Sequence, residues 1–386
     1  MWERDPKSLR ILHFADRSSY GPASSMAQLA AAQARNGNDV SVVLLCRSGR
    51  TPPSLAVDQL TQQRVPLRTI SIRQLRPWMR PKLLARLLEI PAVIQDLKAQ
   101  GFDVLHCHSP STCGFGWAAA RRAKVPVVAT WHGSATTRTL RKLFEHLDGL
   151  AVLSKDQEEK FRQRTPPGYV RLLRNGIDVR KWRDQLVEAQ DLRSTLEIHK
   201  SAFVVGFAGR LSPEKGLSFL LLALADGGLR DPDEVCLLVA GDGPLAAQLR
   251  SDVHALDLEA ATRFLGRIEY MPSFYRTIDL LVVPSLRETQ PMVILEAMAS
   301  EVPVVGTAVG DIPTMLGGEA GIVIPAQQAQ AILGVIESLK NNPQQRARII
   351  RNGLLRVRQR YDNAVVADLY LEKLYLPILA KCQQPV

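Results

Sequence analysis

Short apolar runs rich in valine, isoleucine and leucine recur along this chain and alternate with segments of helical periodicity. They include Val40 to Leu45, Val125 to Ala129, Val235 to Ala240 and Leu280 to Val283. Strands of a parallel sheet are continuously apolar because helices cover both faces of the sheet. The alternation therefore predicts an α/β protein built on doubly wound parallel sheets, which bind ligands outside the carboxyl ends of their strands.

The length of the chain, 386 residues, exceeds what one hydrophobic core usually serves. Hydrophobic residues make up 46% of the sequence, which is ample for two cores. The stretch from Asp178 to Glu188 is polar and charged and contains no apolar run, so we place a hinge near residues 175–200. The predicted domains are residues 1–178 and residues 179–362, followed by a C-terminal helix at about residues 363–386.

Glu288 and Glu296 stand on either side of an expected helix start. Pro291 suits the first helical position, because its missing N–H group costs nothing there. The start of this helix, at Pro291, Met292 and Val293, would attract phosphate oxygens through free N–H groups and the positive dipole end. Glu296 could then accept hydrogen bonds from a ribose, and Glu288 would face a sugar. The alternative is that both glutamates only favour the helix dipole.

A second motif lies earlier in the chain and reads Gly209-Arg210-Leu211-Ser212-Pro213-Glu214-Lys215-Gly216. It follows the apolar run Phe203 to Ala208 and precedes the helical pattern Leu217 to Ala225, so it is a strand-to-helix turn. Arg210 can grip a phosphate with its planar fork and Lys215 can add a mobile charge. Together they would neutralise a diphosphate without a metal, although such side chains in a loop are usually just solvated.

With these two motifs the chain resembles the retaining glycosyltransferases of family 4, which carry a Gly-Arg-Leu…Lys-Gly turn followed by Glu-x7-Glu. Further stretches match the family in the same order, so the resemblance covers nearly the whole chain. They are Ile11 to Phe14 leading to Gly21, Phe102 to His108, Thr130 to Gly133, Asn175 to Asp178 and Val239 to Pro244. The resemblance implies the GT-B fold, which has two Rossmann-like domains, an interdomain cleft and a C-terminal helix that crosses back onto the first domain.

The resemblance also implies roles for individual residues, with the acceptor on the first domain and the nucleotide sugar on the second. His132, which ends a predicted strand, would approach the transferred sugar, and His108 would lie on the acceptor side. A strand-end histidine without a ligand is the alternative for both, and His106 is expected to point into the core. Gly266 and Arg267 occupy the place where family members hold the base.

Two stretches depart from the family pattern. Many members have Gly-Phe-Gly after the first glutamate, where this chain has Thr289-Gln290-Pro291, so the backbone there is less permissive. Many members have paired glycines in the first N-terminal loop, where this chain has Gly21-Pro22 and so lacks one amide donor in a ligand-facing turn. Neither departure removes a charged group, and Gly21 and Gly209 remain expected donor-binding positions.

The expected reaction is a metal-independent, retaining transfer of a hexose from a UDP- or GDP-sugar to a hydroxyl of a glycan or lipid-linked acceptor, in cell-envelope or exopolysaccharide synthesis. The expected catalytic residues are Arg210, Lys215, Glu288 and His132. No carboxylate is placed as a nucleophile opposite the leaving group, which favours same-face substitution. The sequence Asp231-Pro232-Asp233 is typical of a surface loop, so we expect no metal and no other cofactor. The alternatives are a nucleotide-sugar epimerase of this fold and a non-catalytic scaffold that binds nucleotide sugars.

The net charge of +11 is unevenly distributed. Residues 1–200 carry 32 Lys and Arg against 18 Asp and Glu, a balance of +14, and residues 201–386 carry 17 against 20, a balance of −3. Basic residues alternate with apolar ones over residues 64–88, and the spacing from Pro81 onward is that of an interfacial helix. The alternative is a core helix with a solvated basic face. The charge favours an acidic acceptor or an anionic membrane, and the lack of a repeated aromatic platform argues against nucleic acid.

Five cysteines, odd in number and widely separated, are typical of buried thiols in a reducing compartment. The N-terminal residues contain no apolar signal core, and no stretch approaches the roughly twenty apolar residues of a membrane span. We therefore expect a cytoplasmic protein, which would be peripheral at the inner face of the cytoplasmic membrane if the basic segment binds lipid.

Overall fold

The computed structural model describes residues 8–16, 20–47, 57, 60–72, 98–133, 146–163 and 169–382. The chain divides into two compact units. The first comprises Met1–Gly176 and Asn363–Val386, and the second comprises Ile177–Asp362. The limits expected from the sequence fall after residues 178 and 362.

The first unit contains a seven-stranded parallel sheet. Its strands are β1 (Arg10–Asp16), β2 (Asp39–Arg47), β3 (Leu67–Ile72), β4 (Val104–Cys107), β5 (Val127–Trp131), β6 (Gly149–Val152) and β7 (Tyr169–Leu172). The strand order is β3-β2-β1-β4-β5-β6-β7, so the topological switch point lies between β1 and β4. Helices α1 (Tyr20–Arg35), α2 (Pro110–Ala123) and α3 (Lys155–Arg162) connect these strands.

The second unit contains a six-stranded parallel sheet with the order β10-β9-β8-β11-β12-β13. Its strands are β8 (Phe203–Ala208), β9 (Val235–Ala240), β10 (Thr262–Gly266), β11 (Leu280–Val283), β12 (Val304–Thr307) and β13 (Ile322–Ile324). Its helices are α4 (Val179–Glu188), α5 (Leu217–Asp226), α6 (Ala246–Ala255), α7 (Met271–Thr277), α8 (Met292–Ala299), α9 (Ile312–Met315), α10 (Ala329–Asn341) and α11 (Pro343–Arg360). A single 3₁₀ turn, Pro213–Lys215, precedes α5.

Helices cover both faces of the second sheet, which explains why its strands are apolar throughout. Successive residues of β8 point to opposite faces, so Val204 belongs to one hydrophobic core and Val205 to the other. Leu238 and Leu237 of β9 divide between the same two cores. The apolar runs recognised in the sequence are therefore strands buried on two sides, and their parallel pairing confirms the expected sheet type.

The last part of the chain packs against the first unit. Helix α12 (Asn363–Tyr370) continues through a π-helical turn (Leu371–Tyr375) into α13 (Leu376–Cys382). Tyr370 and Tyr375 are buried in the same hydrophobic core as Ile11 of β1. The C-terminal helix thus returns to the first unit, as the resemblance implies.

The basic segment predicted at residues 64–88 is described only in part. Arg64 has a φ of 54° and Arg68 is exposed in β3, whereas residues 73–97, which include the expected interfacial helix, lie outside the described residues. In the part of the chain that the structure describes, no helix combines the length and apolar composition that a membrane span requires. The expectation of buried thiols holds for Cys107, Cys113 and Cys236 and is wrong for the exposed Cys382.

Candidate functional site

The two charged motifs of the second unit meet at one edge of its sheet. Gly209 directly follows β8, and the segment Ser285 to Glu288 follows β11. Because β8 and β11 are neighbours in the sheet, both segments lie at the switch point where open α/β sheets bind ligands. Lys215 and Glu288 are therefore in contact although they are 73 residues apart in the chain.

Lys215 and Glu288 form an ion pair between Nζ and Oε1. Their side chains keep 26% and 11% of their exposure, so the pair is only partly screened by solvent. The Ser285 Oγ atom lies 3.5 Å from the same carboxylate oxygen. The pair lines a cavity of about 80 Å³ together with Phe207, Ala208, Gly209, Val283, Ser285, Pro291, Met292 and Val293. Most of the residues expected to bind the donor are thus in one place.

Glycines allow the loops around this cavity to approach one another closely. Gly216 has a φ of 67°, and a Cβ atom there would lie 2.1 Å from the carbonyl oxygen of Pro284. Gly310 has a φ of 55°, and its Cβ atom would lie 2.1 Å from the carbonyl oxygen of Glu288. Only glycine fits a left-handed conformation in such direct contact with another backbone. These contacts hold the loops that carry Lys215 and Glu288.

Helix α8 begins one residue later than the sequence predicts. Pro291 has a ψ of 116° and is the N-cap residue, so Met292 is the first helical residue. The assignment of Pro291 to the first helical position is therefore wrong, because the proline ring fixes φ but leaves ψ free. No side chain caps α8. The N–H groups of Met292 and Val293 remain donors at the positive end of the helix dipole, in the wall of the cavity.

Glu296 lies within α8 and accepts a hydrogen bond of 2.8 Å on Oε2 from the hydroxyl group of Tyr275. Burial raises the pKa of Glu296, and the bond from Tyr275 opposes that rise. The Tyr275 hydroxyl also lies 3.2 Å from the carbonyl oxygen of Val293. Glu296 does not line the cavity that holds Lys215 and Glu288, so its expected contact with a ribose would be made beside that cavity.

Three other residues of the second unit that were expected to bind the donor lie outside the cavity. Arg210 is exposed in the loop after β8. Gly266 ends β10 with a φ of 64°, and its carbonyl oxygen accepts a hydrogen bond of 2.7 Å from the N–H group of Gly241. Arg267, the next residue, is exposed.

In the first unit, four histidines cluster at the carboxyl ends of β1, β4 and β5. His13 of β1 and His106 of β4 are partners in the sheet register, and His108 and His132 follow β4 and β5. The ring centroids of His106 and His108 are 4.1 Å apart, and those of His108 and His132 are 5.9 Å apart. His106 is fully buried, as expected. The sequence analysis missed His13, which could have been noticed because a histidine is unusual inside an apolar run such as that of β1.

Burial lowers the pKa of all four imidazoles. The pKa values of His13 and His132 fall to about 4. Those of His106 and His108 fall well below 6.5, because burial is reinforced by charge repulsion from neighbouring histidines. The cluster is therefore uncharged at neutral pH, so it can exchange hydrogen bonds but offers no positive charge to a phosphate.

Nitrogen atoms of His13, His106 and His108 lie within 4.8 Å of one another, and this is the one group in the described ranges that could hold a metal ion. Every nitrogen of the three rings except Nδ1 of His108 already has a hydrogen-bonding partner. The expected loop Asp231-Pro232-Asp233 is a turn with exposed carboxylates. The N–H group of Asp233 donates a hydrogen bond of 2.9 Å to Oδ1 of Asp231 there, which is a turn-forming contact.

The sequence suggested that Gly21 lies in a loop, but in the structure it lies in the first turn of α1. Pro22 is compatible with that position, because the first N–H groups of a helix have no partner within it. The resemblance to paired-glycine loops misled here, since a proline fixes a helical φ where a second glycine would not.

Two sequence profiles match the chain, and each falls mainly on one unit. The profile described as "Glycosyltransferase Family 4" matches residues 20–181. The profile described as "Glycosyl transferases group 1" matches residues 188–356.

Relatives and solved structures agree with these matches. The phosphatidyl-myo-inositol mannosyltransferase of Mycobacterium leprae is 32% identical over 280 residues, which cover 69% of this chain and 71% of that protein. The D-inositol 3-phosphate glycosyltransferase of Salinispora tropica is 27% identical over 303 residues, 69% of this chain but only 63% of that protein. The crystal structure of Anabaena HepE in complex with UDP-glucose has a TM-score of 0.77 at 22% identity, and the match covers 95% of this chain and 99% of that one. At that identity the likeness shows a shared fold.

Proposed function

This chain belongs to the family 4, group 1 glycosyltransferases and has the GT-B fold, and on that premise we propose that it moves a sugar from a UDP- or GDP-sugar to a hydroxyl group of a glycan or lipid-linked acceptor, with retention of configuration. The observation that carries this proposal is the Lys215–Glu288 ion pair, which shares a cavity with the uncapped start of α8. A diphosphate needs positive charge and N–H donors, and a sugar needs a hydrogen-bond acceptor. That cavity offers both.

Lys215 and the first N–H groups of α8 would bind the diphosphate. Negative charge grows on the departing phosphate as the sugar leaves, and fixed donors stabilise it most strongly at that moment. Arg210 is exposed on the same loop as Lys215 and would close over the phosphates when the donor binds. Loss of either cation should then raise the barrier by about 2 to 4 kcal/mol. Two side-chain cations supply the charge that a metal ion would otherwise provide.

Glu288 would accept hydrogen bonds from hydroxyl groups of the transferred sugar. The ion pair between Glu288 and Lys215 supports these roles, because a carboxylate that binds the sugar would then lie next to an ammonium that binds phosphate, as in the order of groups in a sugar diphosphate. Glu296, which is held by Tyr275, would accept from the ribose on the far side of the phosphates. His132 of the first unit is the expected contact to the transferred sugar.

The proposed step is substitution on one face of the sugar. The acceptor oxygen bonds to the anomeric carbon while the bond from that carbon to the phosphate oxygen breaks, and the hydroxyl proton moves to the departing phosphate. Retention follows because the attacking and leaving oxygens share a face, and positioning replaces a strong base. Isolation of a covalent sugar on Glu288 would contradict this step.

The acceptor class is proposed from the relatives, two of which are named for inositol-containing acceptors or products. The basic balance of residues 1–200 agrees with an acceptor that carries phosphate, or with a site of action at an anionic membrane. Cell-envelope or exopolysaccharide synthesis and action at the inner face of the cytoplasmic membrane are part of the same proposal.

The experiment is a titration of the purified chain with UDP, GDP and ADP, each with and without EDTA, in which binding is measured by calorimetry or by the shift of the thermal unfolding midpoint. We expect one nucleotide to bind without metal and Lys215→Ala to lose at least tenfold in affinity. Lys340→Ala is the matched control, because Lys340 is also paired with a glutamate, Glu234, and keeps a similar side-chain exposure of 25%. Equal affinity in the Lys215 and Lys340 variants would overturn the assignment of the site. The anomeric configuration of the product, read by proton NMR, tests retention.

A further inference from the structure

A chain of buried hydrogen bonds joins the histidine cluster of the first unit to the C-terminal helices. Its side chains are His13, Gln33, His106, His108, Thr130, Tyr370 and Tyr375, all of which are buried. They come from β1, α1, β4 and the residue after it, β5 and the C-terminal segment. A neutral imidazole has one N–H donor and one bare nitrogen acceptor. The direction of each bond in such a chain therefore fixes the direction of the next.

The two ends of the chain fix its direction together: the Gln33 amide nitrogen can only donate, and the carbonyl oxygen of Leu173 can only accept. The Tyr370 hydroxyl donates to it over 3.4 Å. The Tyr370 oxygen then accepts from the Thr130 hydroxyl, 3.1 Å away, since each hydroxyl has one proton to give. The Thr130 oxygen in turn accepts from Nε2–H of His106 at 2.8 Å. This leaves Nδ1 of His106 without a proton.

The direction continues through the π-helical turn into α1. Nδ1 of His106 accepts a bond of 2.7 Å from the Tyr375 hydroxyl. The Tyr375 oxygen accepts from the Gln33 amide nitrogen at 3.0 Å, so the Gln33 carbonyl oxygen points the other way. That oxygen accepts from Nε2–H of His13 at 2.7 Å. Nδ1 of His13 is therefore also without a proton.

The chain ends at His108. Nε2–H of His108 donates to the bare Nδ1 of His13 over 2.9 Å, so Nδ1 of His108 carries a lone pair. His108 is only 3% exposed, and this nitrogen has no partner among the described residues. Nε2 of His132, on the neighbouring ring, is a second buried nitrogen without a partner there. A buried hydrogen-bond acceptor without a partner is energetically costly. Because His108 lies at the switch point between β1 and β4, its unpaired nitrogen suits a ligand that donates a hydrogen bond.

We propose that Nδ1 of His108 accepts a hydrogen bond from a hydroxyl group of the acceptor substrate, and that Gln33 and Tyr375 are positioning residues that hold His108 in the Nε2–H form. The identity of the partner as an acceptor hydroxyl rests on the proposed function, whereas the tautomer of His108 follows from the hydrogen bonds above alone. Burial keeps the pKa of His108 well below its usual value, so this nitrogen orients the hydroxyl and does not remove its proton. A site with a fixed lone pair selects a donor and rejects a bare acceptor oxygen.

The tautomers can be read directly in the full chain labelled with ¹⁵N-histidine, because protonated and bare imidazole nitrogens have well-separated ¹⁵N shifts. We expect His13, His106 and His108 all in the Nε2–H form, assigned by single histidine replacements. In Tyr375→Phe the Gln33 amide can turn over, so the His108 signals should move towards a mixture of tautomers. Tyr361→Phe removes a buried tyrosine hydroxyl from the second unit and should leave all three rings unchanged. A proton on Nδ1 of His108 in the wild type, or no change in Tyr375→Phe, would overturn the proposal.

The partner of Nδ1 is tested with methyl α-D-glucopyranoside as a hydroxyl probe, added to the labelled chain in the presence of whichever of UDP and GDP the titration above shows to bind. A shift confined to Nδ1 of His108, and weaker probe binding in His108→Gln, would support hydroxyl recognition, since glutamine keeps a donor for His13 but lacks Nδ1. If the tautomers are as expected but the ¹⁵N signal of His108 Nδ1 does not move when the probe is added at a saturating concentration of that nucleotide, hydroxyl recognition is overturned. A stoichiometric response of all three rings to Zn²⁺ would show a metal site instead. Failure of both UDP and GDP to bind would count against the proposed function, and the tautomer measurement does not depend on either nucleotide.

Discussion

The two units present opposite kinds of chemistry at the carboxyl ends of their sheets. The second unit has an ion pair, Lys215 with Glu288, beside an uncapped helix start and glycines that bring loop backbones into contact. The first unit has uncharged histidines whose hydrogen bonds run through tyrosines of the C-terminal segment. Charged groups suit a diphosphate, because any cation attracts it. A fixed pattern of hydrogen-bond donors and acceptors suits a neutral hydroxyl group, which is selected by the direction of its hydrogen bonds.

Acidification should produce the largest difference between the units. The pKa values of His13 and His132 are lowered from 6.5 to about 4, so the unfolded chain binds more protons than the folded one between those values. Stability of the first unit is full above pH 6.5 and is lost as the pH falls towards 4, by about 3 kcal/mol for each histidine at 1.36 kcal/mol per pKa unit. The second unit should lack this loss, because its described histidines, His199 and His254, are exposed.

Urea unfolding followed by tryptophan fluorescence in Trp182→Phe measures this, because all other tryptophans of the sequence belong to the first unit. His132→Gln should make the stability of that unit fall less steeply with acid. His254→Gln is the control and should not alter it. A first unit that is equally stable at pH 7 and pH 4.5 would contradict the lowered pKa values.

Replacement of Gly216 by alanine should cause the next largest effect, and it tests how far the second unit depends on close backbone contact. The new Cβ atom would lie 2.1 Å from the Pro284 carbonyl oxygen, so we expect a loss of about 3 kcal/mol or more in the free energy of unfolding and loss of nucleotide binding. Gly228→Ala is the control, because its φ of 65° is similar but its nearest atom would be 3.9 Å away. It should cost only the conformational strain, about 1 to 2 kcal/mol.

Glu296→Gln should separate stability from binding in the second unit. Burial raises the pKa of Glu296, so its carboxylate lowers stability progressively as the pH rises through the folded pKa, and the deficit persists above it. The variant should therefore be more stable than wild type at pH 8, with the difference shrinking below pH 4.5. Donor affinity should fall about tenfold, or about 1.4 kcal/mol.

Thermal unfolding at several pH values and nucleotide titration measure the two effects of Glu296→Gln. The exposed Glu337 of α10 supplies the control, Glu337→Gln, which should change neither quantity. A less stable Glu296→Gln variant at pH 8 would mean that the carboxylate contributes more through its bond from Tyr275 than it costs by burial.

Binding to anionic vesicles tests the charge difference between the two halves of the chain. Replacement of Arg80 and Arg86 by glutamine should weaken sedimentation with phosphatidylserine vesicles by about 1 kcal/mol per residue at low salt. Arg351→Gln and Arg358→Gln, which remove exposed charges from α11 of the second unit, are the control pair. Equal binding by both pairs of variants would favour a basic segment that is only the solvated face of a core helix.

Much of the second site was predictable because its parts are local. The strand, turn and helix around Arg210 and Lys215 are adjacent in sequence, and Glu288 and Glu296 share one short segment. The error there was small: it concerned the exact start of α8 at Pro291, where a proline fits either side of the boundary. In the first unit, the loop expected at Gly21 is helical. The exposure of Arg210 could not be predicted, since it depends on which loops surround the turn.

The sequence alone determined the two parallel sheets, the family and most of the residues at the edge of the second sheet, because apolar runs and strand-to-helix motifs are properties of neighbouring residues. Only the tertiary structure decided that Gln33 meets Tyr375, 342 residues away, and that His13 meets His108. Whether a histidine nitrogen donates or accepts depends on every partner along such a chain, and those partners come from segments that no local pattern connects. The sequence therefore identifies the histidines, but only the tertiary structure determines which nitrogen of each ring carries the proton.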